Sequence, residues 1–289
     1  MNTTGLRHAA LAVAAGLAAI NAAPVAAADA SSWSSDSRSA MRLISGARGA
    51  DSHELRAGIE IKLGAEWKTY WRYPGDAGVP PRFDFARSDN VKSVKVLWPA
   101  PHRLSDESGM SIGYKGGVIF PLVVTPANPA KPVTLRLKLD YAVCEKICIP
   151  AEGSAELALT GGASERDAAL ADAEARVPKP MKLGETLKLD EQSSLSIRSV
   201  KRENGAGGKP RVVVDVTAPA NAALDLFAEG PSAEWALPLP EPVSGAPAGT
   251  HRFAFALDGL PPGSSANGAV LKLTATAGGR AIEVTTRLD

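Results

Sequence analysis

The strictest pattern in this chain is an alternation of apolar and polar residues over residues 133–143. The apolar members are Val133, Leu135, Leu137, Leu139, Tyr141 and Val143, and the polar members between them are Thr134, Arg136, Lys138 and Asp140. A period of two is typical of a β-strand with one buried face and one exposed face. The pattern therefore predicts a long strand near the middle of the chain.

Shorter stretches of the same kind occur on both sides of this strand. In the first half they cover residues 55–63, 91–98, 117–125 and 154–159, and in the second half residues 212–216, 253–255, 271–277 and 281–288. Proline and glycine interrupt nearly every gap, and the turns recur at intervals suited to a β-sandwich. We therefore predict an all-β protein with two sandwich domains.

The N-terminus has the features of a secretory signal peptide over residues 1–28. Arg7 and His8 precede an apolar run over residues 9–20, and small residues up to Ala28 offer a cleavage site. The run is shorter than the ~20 residues that span a bilayer. We expect a mature protein that is exported, compatible with a bacterial periplasm, and not membrane-spanning.

The rest of the chain divides by composition. Residues 29–48 are rich in Ser and Ala and suggest a flexible lead-in, residues 49–162 hold the first sandwich, and residues 181–289 hold the second. Between them, residues 163–180 predict a linker in which a short helix follows Ser164 and a Pro-containing segment follows Val177.

Charge and motifs exclude several functions. The chain has 32 Lys and Arg against 31 Asp and Glu, and loss of Arg7 with the signal peptide would leave 31 of each. This balance gives no electrostatic basis for binding nucleic acid. We find no phosphate-binding glycine loop, nucleophile elbow or metalloprotease helix, and we expect no cofactor.

Cys144 and Cys148 are the only two cysteines of the chain. On one straight strand they would lie roughly 13 Å apart, too far for a disulfide. They can bond across a tight turn or one helical turn, and the strand that ends at Val143 favours a hairpin. If its alternation continues, Cys144 faces away from the core, where a partner could reach its sulfur.

A disulfide that closes a loop of only three residues adds little to the stability of the fold. The chain-entropy model gives such a loop only about 2 kcal/mol. Three interpretations remain open: a structural bridge, a redox-exchanging pair, and a dithiol metal site for copper or zinc. The metal interpretation lacks supporting ligands, because the histidines have no zinc-type spacing.

Neighbouring residues could tune the pair. Lys146 favours a thiolate and Glu145 opposes it. Asp140 could shift the pKa of a thiol or assist proton transfer, or it could be an ordinary solvated strand residue. The aromatic stretch over residues 67–73 is typical of a sandwich core, and alternatively forms a wall beside the disulfide.

The segment over residues 139–153, which contains Cys144-Glu-Lys-Ile-Cys148-Ile-Pro, resembles the redox loop of the N-terminal periplasmic domain of DsbD-type thiol:disulfide interchange proteins, closest to the ScsB-like branch. Residues 98–103 and 113–122 fit the same family. The resemblance implies an immunoglobulin-like fold, and by analogy we extend that fold to the second sandwich. It also implies that Cys144 and Cys148 are the redox cysteines.

The resemblance further implies the partners of the pair. Electrons would come from a membrane-embedded or thioredoxin-like donor and pass to oxidised periplasmic proteins, as in a protein-disulfide reductase. Family members cover the pair with a cap loop, which corresponds here to residues 105–114 with Tyr114 as the aromatic residue, while Tyr70 and Trp71 match a nearby aromatic strand.

The three-residue spacing is shorter than in the best-known members. The sequence also lacks transmembrane and thioredoxin-like portions, so a separate membrane donor is expected. The alternative is a binding or assembly module with an inert bridge.

Overall fold

A computed structural model describes residues 28–49, 53–75, 78–106, 109–205 and 208–289. The predicted signal peptide lies outside these residues apart from Ala28. Within the described residues the chain is almost entirely β-structure with one short helix, which confirms the predicted all-β class. No described helix has the length and apolar character needed to cross a bilayer.

The described residues of the first half form eleven strands in two antiparallel sheets. The strands are β1 (Ser34–Ser35), β2 (Ser39–Gly46), β3 (Leu55–Leu63), β4 (Lys68–Tyr70), β5 (Arg82–Asp84), β6 (Val91–Val96), β7 (His102–Asp106), β8 (Gly109–Lys115), β9 (Gly117–Pro126), β10 (Val133–Cys144) and β11 (Cys148–Leu159). One sheet has the order β1-β2-β3-β9-β6, and the other has the order β11-β10-β4-β8-β7 with β5 also paired to β10.

The two sheets enclose one core because their apolar faces both point inward. Leu135 and Leu139 of β10 meet Ile59 of β3 and Phe120 of β9 in a single buried cluster. Phe120 packs edge to face against Trp98 at a centroid distance of 5.0 Å, a favoured aromatic geometry. The predicted strands at residues 55–63, 91–98, 117–125, 133–143 and 154–159 are all present, and the last begins earlier, at Cys148.

The flexible lead-in predicted for residues 29–48 is wrong for most of its length. Strand β2 pairs with β3 along its whole length, and Met41, Leu43 and Ile44 are completely buried. Arg42 between them forms an ion pair with Glu60 of β3. The Ser- and Ala-rich residues before Met41 hide this strand, and its adjacent Leu43 and Ile44 do not give the alternation that identifies a strand.

The helical linker predicted for residues 163–180 is not a free spacer. Helix α1 (Asp167–Ala175) begins after Arg166, and Ser164 caps its start as predicted: the Ser164 hydroxyl accepts from the Arg166 backbone nitrogen at 3.0 Å, and the Asp167 carboxylate accepts from the Ser164 backbone nitrogen at 2.9 Å. Its completely buried Leu170 packs on the first half, and Arg56 of β3 forms ion pairs with Asp167 and Glu174 of the helix. The Pro-containing end of the linker enters a strand of the second half.

In the second half, the residues that the structure describes form nine more strands, again in two sheets. They are β12 (Lys179–Met181), β13 (Leu187–Lys188), β14 (Ser194–Asn204), β15 (Pro210–Thr217), β16 (Leu224–Glu229), β17 (Glu241–Val243), β18 (His251–Ala256), β19 (Val270–Ala277) and β20 (Arg280–Arg287). The sheet orders are β12-β20-β19-β16 and β13-β14-β15-β18-β17.

These two sheets also share one core, which contains Val214 of β15 and Phe255 of β18 from one sheet and Leu273 of β19 and Val284 of β20 from the other. Strand β12 joins β20 in parallel, with Pro180 opposite Glu283, so the second sandwich begins before residue 181. Each half is therefore a pair of packed sheets.

Candidate redox site

The two cysteines lie opposite each other at the mouth of a β-hairpin. Strands β10 and β11 pair without interruption from Val133 and Leu159 to Cys144 and Cys148. The two cysteines form a disulfide, with Cα atoms 4.2 Å apart, across the turn of residues 145–147. The predicted hairpin is thus confirmed: the alternation of β10 continues to its last residue and brings the sulfurs together.

The two sulfurs have different surroundings. Cys148 is exposed, whereas Cys144 is only 1% exposed. Cys144 does lie outside the main core, in a small separate cluster with Tyr70 and Ala142. The expectation that its sulfur is open to a partner is nevertheless wrong, because Tyr70 covers it. A partner can reach only Cys148 directly.

Tyr70 at the end of β4 is the cap of the disulfide. Its hydroxyl donates a hydrogen bond to Cys144 Sγ at 2.8 Å and lies 3.0 Å from Cys148 Sγ. The side chain is 2% exposed. The single pairing of β10 with β4, between Cys144 and Lys68, places Tyr70 two residues further along β4. Residues two apart on a strand share a face, so the phenol ring lies over the sulfurs.

Gly78 leaves the space that the Tyr70 ring fills. A Cβ atom at this position would lie 2.7 Å from Tyr70 Cδ1, and would also meet the ring of Pro74. Such a distance is far below an ordinary carbon–carbon contact. The glycine is needed here for close approach of the Tyr70 ring.

Trp71 and Tyr114, the other two aromatic candidates, are core residues. Trp71 faces the core and is completely buried. Tyr114 packs against Phe120 and donates to the Pro99 carbonyl oxygen at 2.8 Å. Burial raises the pKa of Tyr114 well above its ordinary value. The predicted cap role of Tyr114 is wrong because β8 turns this side chain inward.

The three charged candidates, Asp140, Glu145 and Lys146, are all exposed. Asp140 is opposite Glu152 in the hairpin, four residues from Cys144, and forms an exposed ion pair with Lys138. Glu145 and Lys146 are exposed in the turn. They line one end of a groove of about 490 Å³ whose other walls are formed by side chains of the neighbouring strands. Their effect on a thiolate stays a prediction, and the structure gives Asp140 no contact with the sulfurs.

Lys68 is a site residue that no sequence pattern singled out. It is directly opposite Cys144 across the β4–β10 pair, and it is 4% exposed. Its ammonium donates to Ser111 Oγ at 3.0 Å. Lys68 precedes Tyr70 by two residues, so a strand at residues 68–70 would have placed both on one face. That spacing is the signal that could have identified it.

Apolar side chains are exposed on the segments around the disulfide. Ile147 in the turn is 68% exposed, Val79 beside Gly78 is 53% exposed, and Met110, whose carbonyl oxygen approaches Gly75, is 37% exposed. Exposed apolar side chains near one site favour contact with another protein. Among the described residues no three His, Cys, Asp or Glu side chains converge in a way that could hold a metal ion.

The fold and the site define a class: an all-β protein that carries a capped disulfide at a hairpin mouth. Residues 41–160 match the family model "Thiol:disulfide interchange protein DsbD, N-terminal". This segment is therefore a DsbD-type N-terminal domain, as the cysteine loop predicts.

The structure is also similar to the N-terminal periplasmic domain of ScsB from Proteus mirabilis. The TM-score is 0.68 at 18% sequence identity, over 90% of this chain and 98% of that one, which shows a shared fold across both halves. A comparison with curated protein sequences finds no match.

Proposed function

We propose that this protein is a periplasmic thiol:disulfide interchange protein whose Cys144–Cys148 pair relays electrons. The electrons come from a membrane-embedded or thioredoxin-like donor and pass to oxidised periplasmic proteins. The observation that carries the proposal is the unequal exposure of the two sulfurs in a DsbD-type domain, with Cys148 open and Cys144 beneath Tyr70. The similar ScsB domain is periplasmic, which together with the predicted signal peptide supports the same location here. The family resemblance supports two immunoglobulin-like domains.

Loading of the pair begins at Cys148. A donor thiolate attacks Cys148 Sγ, the Cys144–Cys148 bond breaks, and the electron pair leaves on Cys144 Sγ. A second donor thiolate then attacks the donor sulfur of the mixed disulfide and releases Cys148 as a thiolate. The donor ends as a disulfide, and this chain ends as a dithiol with two electrons more.

Delivery to a substrate runs in the opposite direction. The Cys148 thiolate attacks the substrate disulfide and releases one substrate thiolate. Cys144 then attacks Cys148 Sγ, reforms the internal disulfide and releases the second substrate thiolate. Tyr70 contributes a hydrogen-bond donor to Cys144 in both directions. The exposed Ile147, which precedes Cys148 in the chain, gives an incoming protein an apolar contact next to this sulfur.

Single-cysteine variants test the proposal. In Cys144→Ser the exposed Cys148 has no resolving partner, and we expect it to accumulate mixed disulfides with exported proteins. In Cys148→Ser the buried Cys144 remains, and we expect few such adducts. Equal trapping by both variants would contradict the assigned order of attack, and trapping by neither would contradict the function.

The burial of Cys144 favours one alternative, a structural bridge in a binding or assembly module. The reduction potential separates the two. A structural disulfide has a potential below about −300 mV, whereas an exchanging pair lies above it. Full activity of Cys144→Ser in the cell would support the module. Stoichiometric copper or zinc in the reduced protein would instead support metal handling by the dithiol.

A further inference from the structure

We propose that the second half of the chain holds the Tyr70 cap over the disulfide, with Arg72 and Tyr73 as the positioning residues. This inference gives the second half a role in the exchange reaction and rests on the proposed function. It is drawn from the side chains that follow Tyr70, all of which are fixed by residues beyond position 220.

Arg72 makes the strongest of these contacts. Its Nε donates to Glu229 Oε2 at 2.9 Å, and one of its terminal nitrogens donates to Glu229 Oε1 at 2.7 Å. The same nitrogen also bonds to Glu283. Two-point contacts of this kind are charge-assisted and fix the orientation of the guanidinium plane. Both carboxylates belong to strands of the second half, β16 and β20.

Tyr73 makes a second, uncharged contact with the same half. Its hydroxyl donates to the Trp235 carbonyl oxygen at 2.6 Å and accepts from the Leu237 backbone nitrogen at 2.5 Å. A hydroxyl that is bonded as donor and as acceptor to a backbone has little freedom to move. The segment after the cap is therefore anchored at two successive positions.

Between Tyr70 and Arg72, Trp71 packs against Phe227 of β16 at a centroid distance of 5.9 Å. Phe227 is completely buried and belongs to the core cluster of the first half. The Arg72 guanidinium lies over the Trp71 ring at 4.3 Å. Three consecutive side chains thus contact the second half directly after the residue that covers the sulfurs.

The neighbouring hairpin is held in the same way. Arg103 of β7 forms ion pairs with Asp225 and Glu241 of the second half, and β7 is joined to β4 through β8. The second half therefore contacts the cap-bearing sheet at two separate points. Since Tyr70 is only two residues from Arg72, a shift of the anchor also moves the phenol ring and uncovers Cys144, which is 1% exposed beneath it.

The test is a double-mutant cycle on the full-length oxidised protein. Dithiothreitol in excess opens the disulfide, and the rate is followed by alkylation of the released thiols. Arg72→Met removes the anchor, and we expect the opening rate to rise about fivefold, equivalent to a small change in cap stability. In a Tyr70→Ala background, which already lacks the cap, Arg72→Met should leave the rate unchanged. Tyr70 lies outside the main core clusters, so Tyr70→Ala spares them.

The matched control is Arg252→Met. Arg252 pairs with the buried Asp215 at 2.7 Å inside the second half, so this variant removes a similar ion pair away from the cap. It should lower the melting temperature without changing the opening rate. An unchanged rate in Arg72→Met, or an equal rise in both Tyr70 backgrounds, would overturn the positioning role.

Two further measurements keep the test decisive. If Arg72→Met does not fold, the double variant Glu229→Gln/Glu283→Gln weakens the same ion pairs with a smaller change in side-chain volume. Amide hydrogen exchange over residues 68–75 should also become faster in the anchor variants and stay unchanged in Arg252→Met. Failure to trap any partner protein, together with these results, would remove the proposed exchange function and leave the positioning role intact.

Discussion

The Tyr70 hydroxyl donates to Cys144 Sγ at 2.8 Å, which places a hydrogen-bond donor on the sulfur that leaves when the disulfide opens. A hydrogen bond to an ionised acceptor is stronger than one to a neutral acceptor. Tyr70 therefore favours the reduced thiolate form of Cys144 over the disulfide form, in addition to covering Cys144.

Tyr70→Phe tests this hydrogen bond because it keeps the ring and removes the hydroxyl. A net hydrogen-bond contribution of about 0.5–1.5 kcal/mol corresponds to a two- to tenfold shift of the equilibrium toward the disulfide. Equilibration against a dithiothreitol redox buffer measures the shift. The control is Tyr114→Phe, which removes a buried hydroxyl bonded to Pro99 and should lower stability while leaving the redox equilibrium unchanged. A redox constant equal to that of the unmodified protein would contradict the assignment.

Gly78→Ala tests the close approach that holds the cap. The new methyl group would lie 2.7 Å from Tyr70 Cδ1, so the ring or the loop has to shift. We expect a loss of about 1–3 kcal/mol in unfolding free energy, typical of overpacking, and faster opening of the disulfide by dithiothreitol. Gly162→Ala is the matched control, since its nearest atom would be Thr160 Oγ1 at an ordinary 3.5 Å. Equal effects of the two substitutions would argue against a fixed cap.

Lys68→Met tests the cation opposite Cys144. A nearby positive charge favours the thiolate, so its removal should raise the pH midpoint of Cys144 ionisation by up to about one unit. The measurement is the ultraviolet absorbance of the thiolate in a Cys148→Ser background. Lys115→Met is the control, because Lys115 lies on β8 opposite Lys68, one strand further from Cys144. The prediction fails if Lys115→Met moves the midpoint as far as Lys68→Met does.

The hairpin could be predicted from the sequence because its signal is local. The alternation from Val133 to Val143 sets both the strand and the face of each residue, and the three-residue gap leaves Cys144 opposite Cys148. The residue that caps the disulfide could be predicted only as one of several candidates. Tyr70 and Tyr114 are both aromatic residues on strands near the site, and their opposite orientations follow from the pairing of β4 with β8, which no local pattern specifies.

The features that the sequence did not predict depend on contacts between segments that are distant in the chain. Half of the residues of strand β2 are apolar, but Leu43 and Ile44 are adjacent and break the period of two, so that pairing with β3 rather than an alternating pattern marks it as a strand. The anchors from Arg72 to Glu229 and Glu283 join residues more than 150 positions apart. From the sequence alone, arginine and glutamate at such positions would be taken for ordinary surface residues. Only the packing of the two halves brings them together.

The acid stability of the second half depends on Asp215. Hydrogen bonds from Arg252 lower the pKa of the Asp215 carboxyl below its ordinary value, and the Ser199 hydroxyl, which donates at 2.8 Å, adds to the effect. A depressed folded-state pKa means that the carboxylate stabilises the fold above its unfolded pKa of about 3.9, and that this stabilisation is lost as the pH falls through the folded value.

Asp215→Asn should therefore cost about 1–3 kcal/mol at neutral pH and reduce the loss of stability between neutral and acidic pH. Urea unfolding at several pH values measures both effects, with the exposed Asp258→Asn as the control. An Asp215→Asn protein that loses stability in acid as steeply as the unmodified protein would show that another carboxylate governs the acid response.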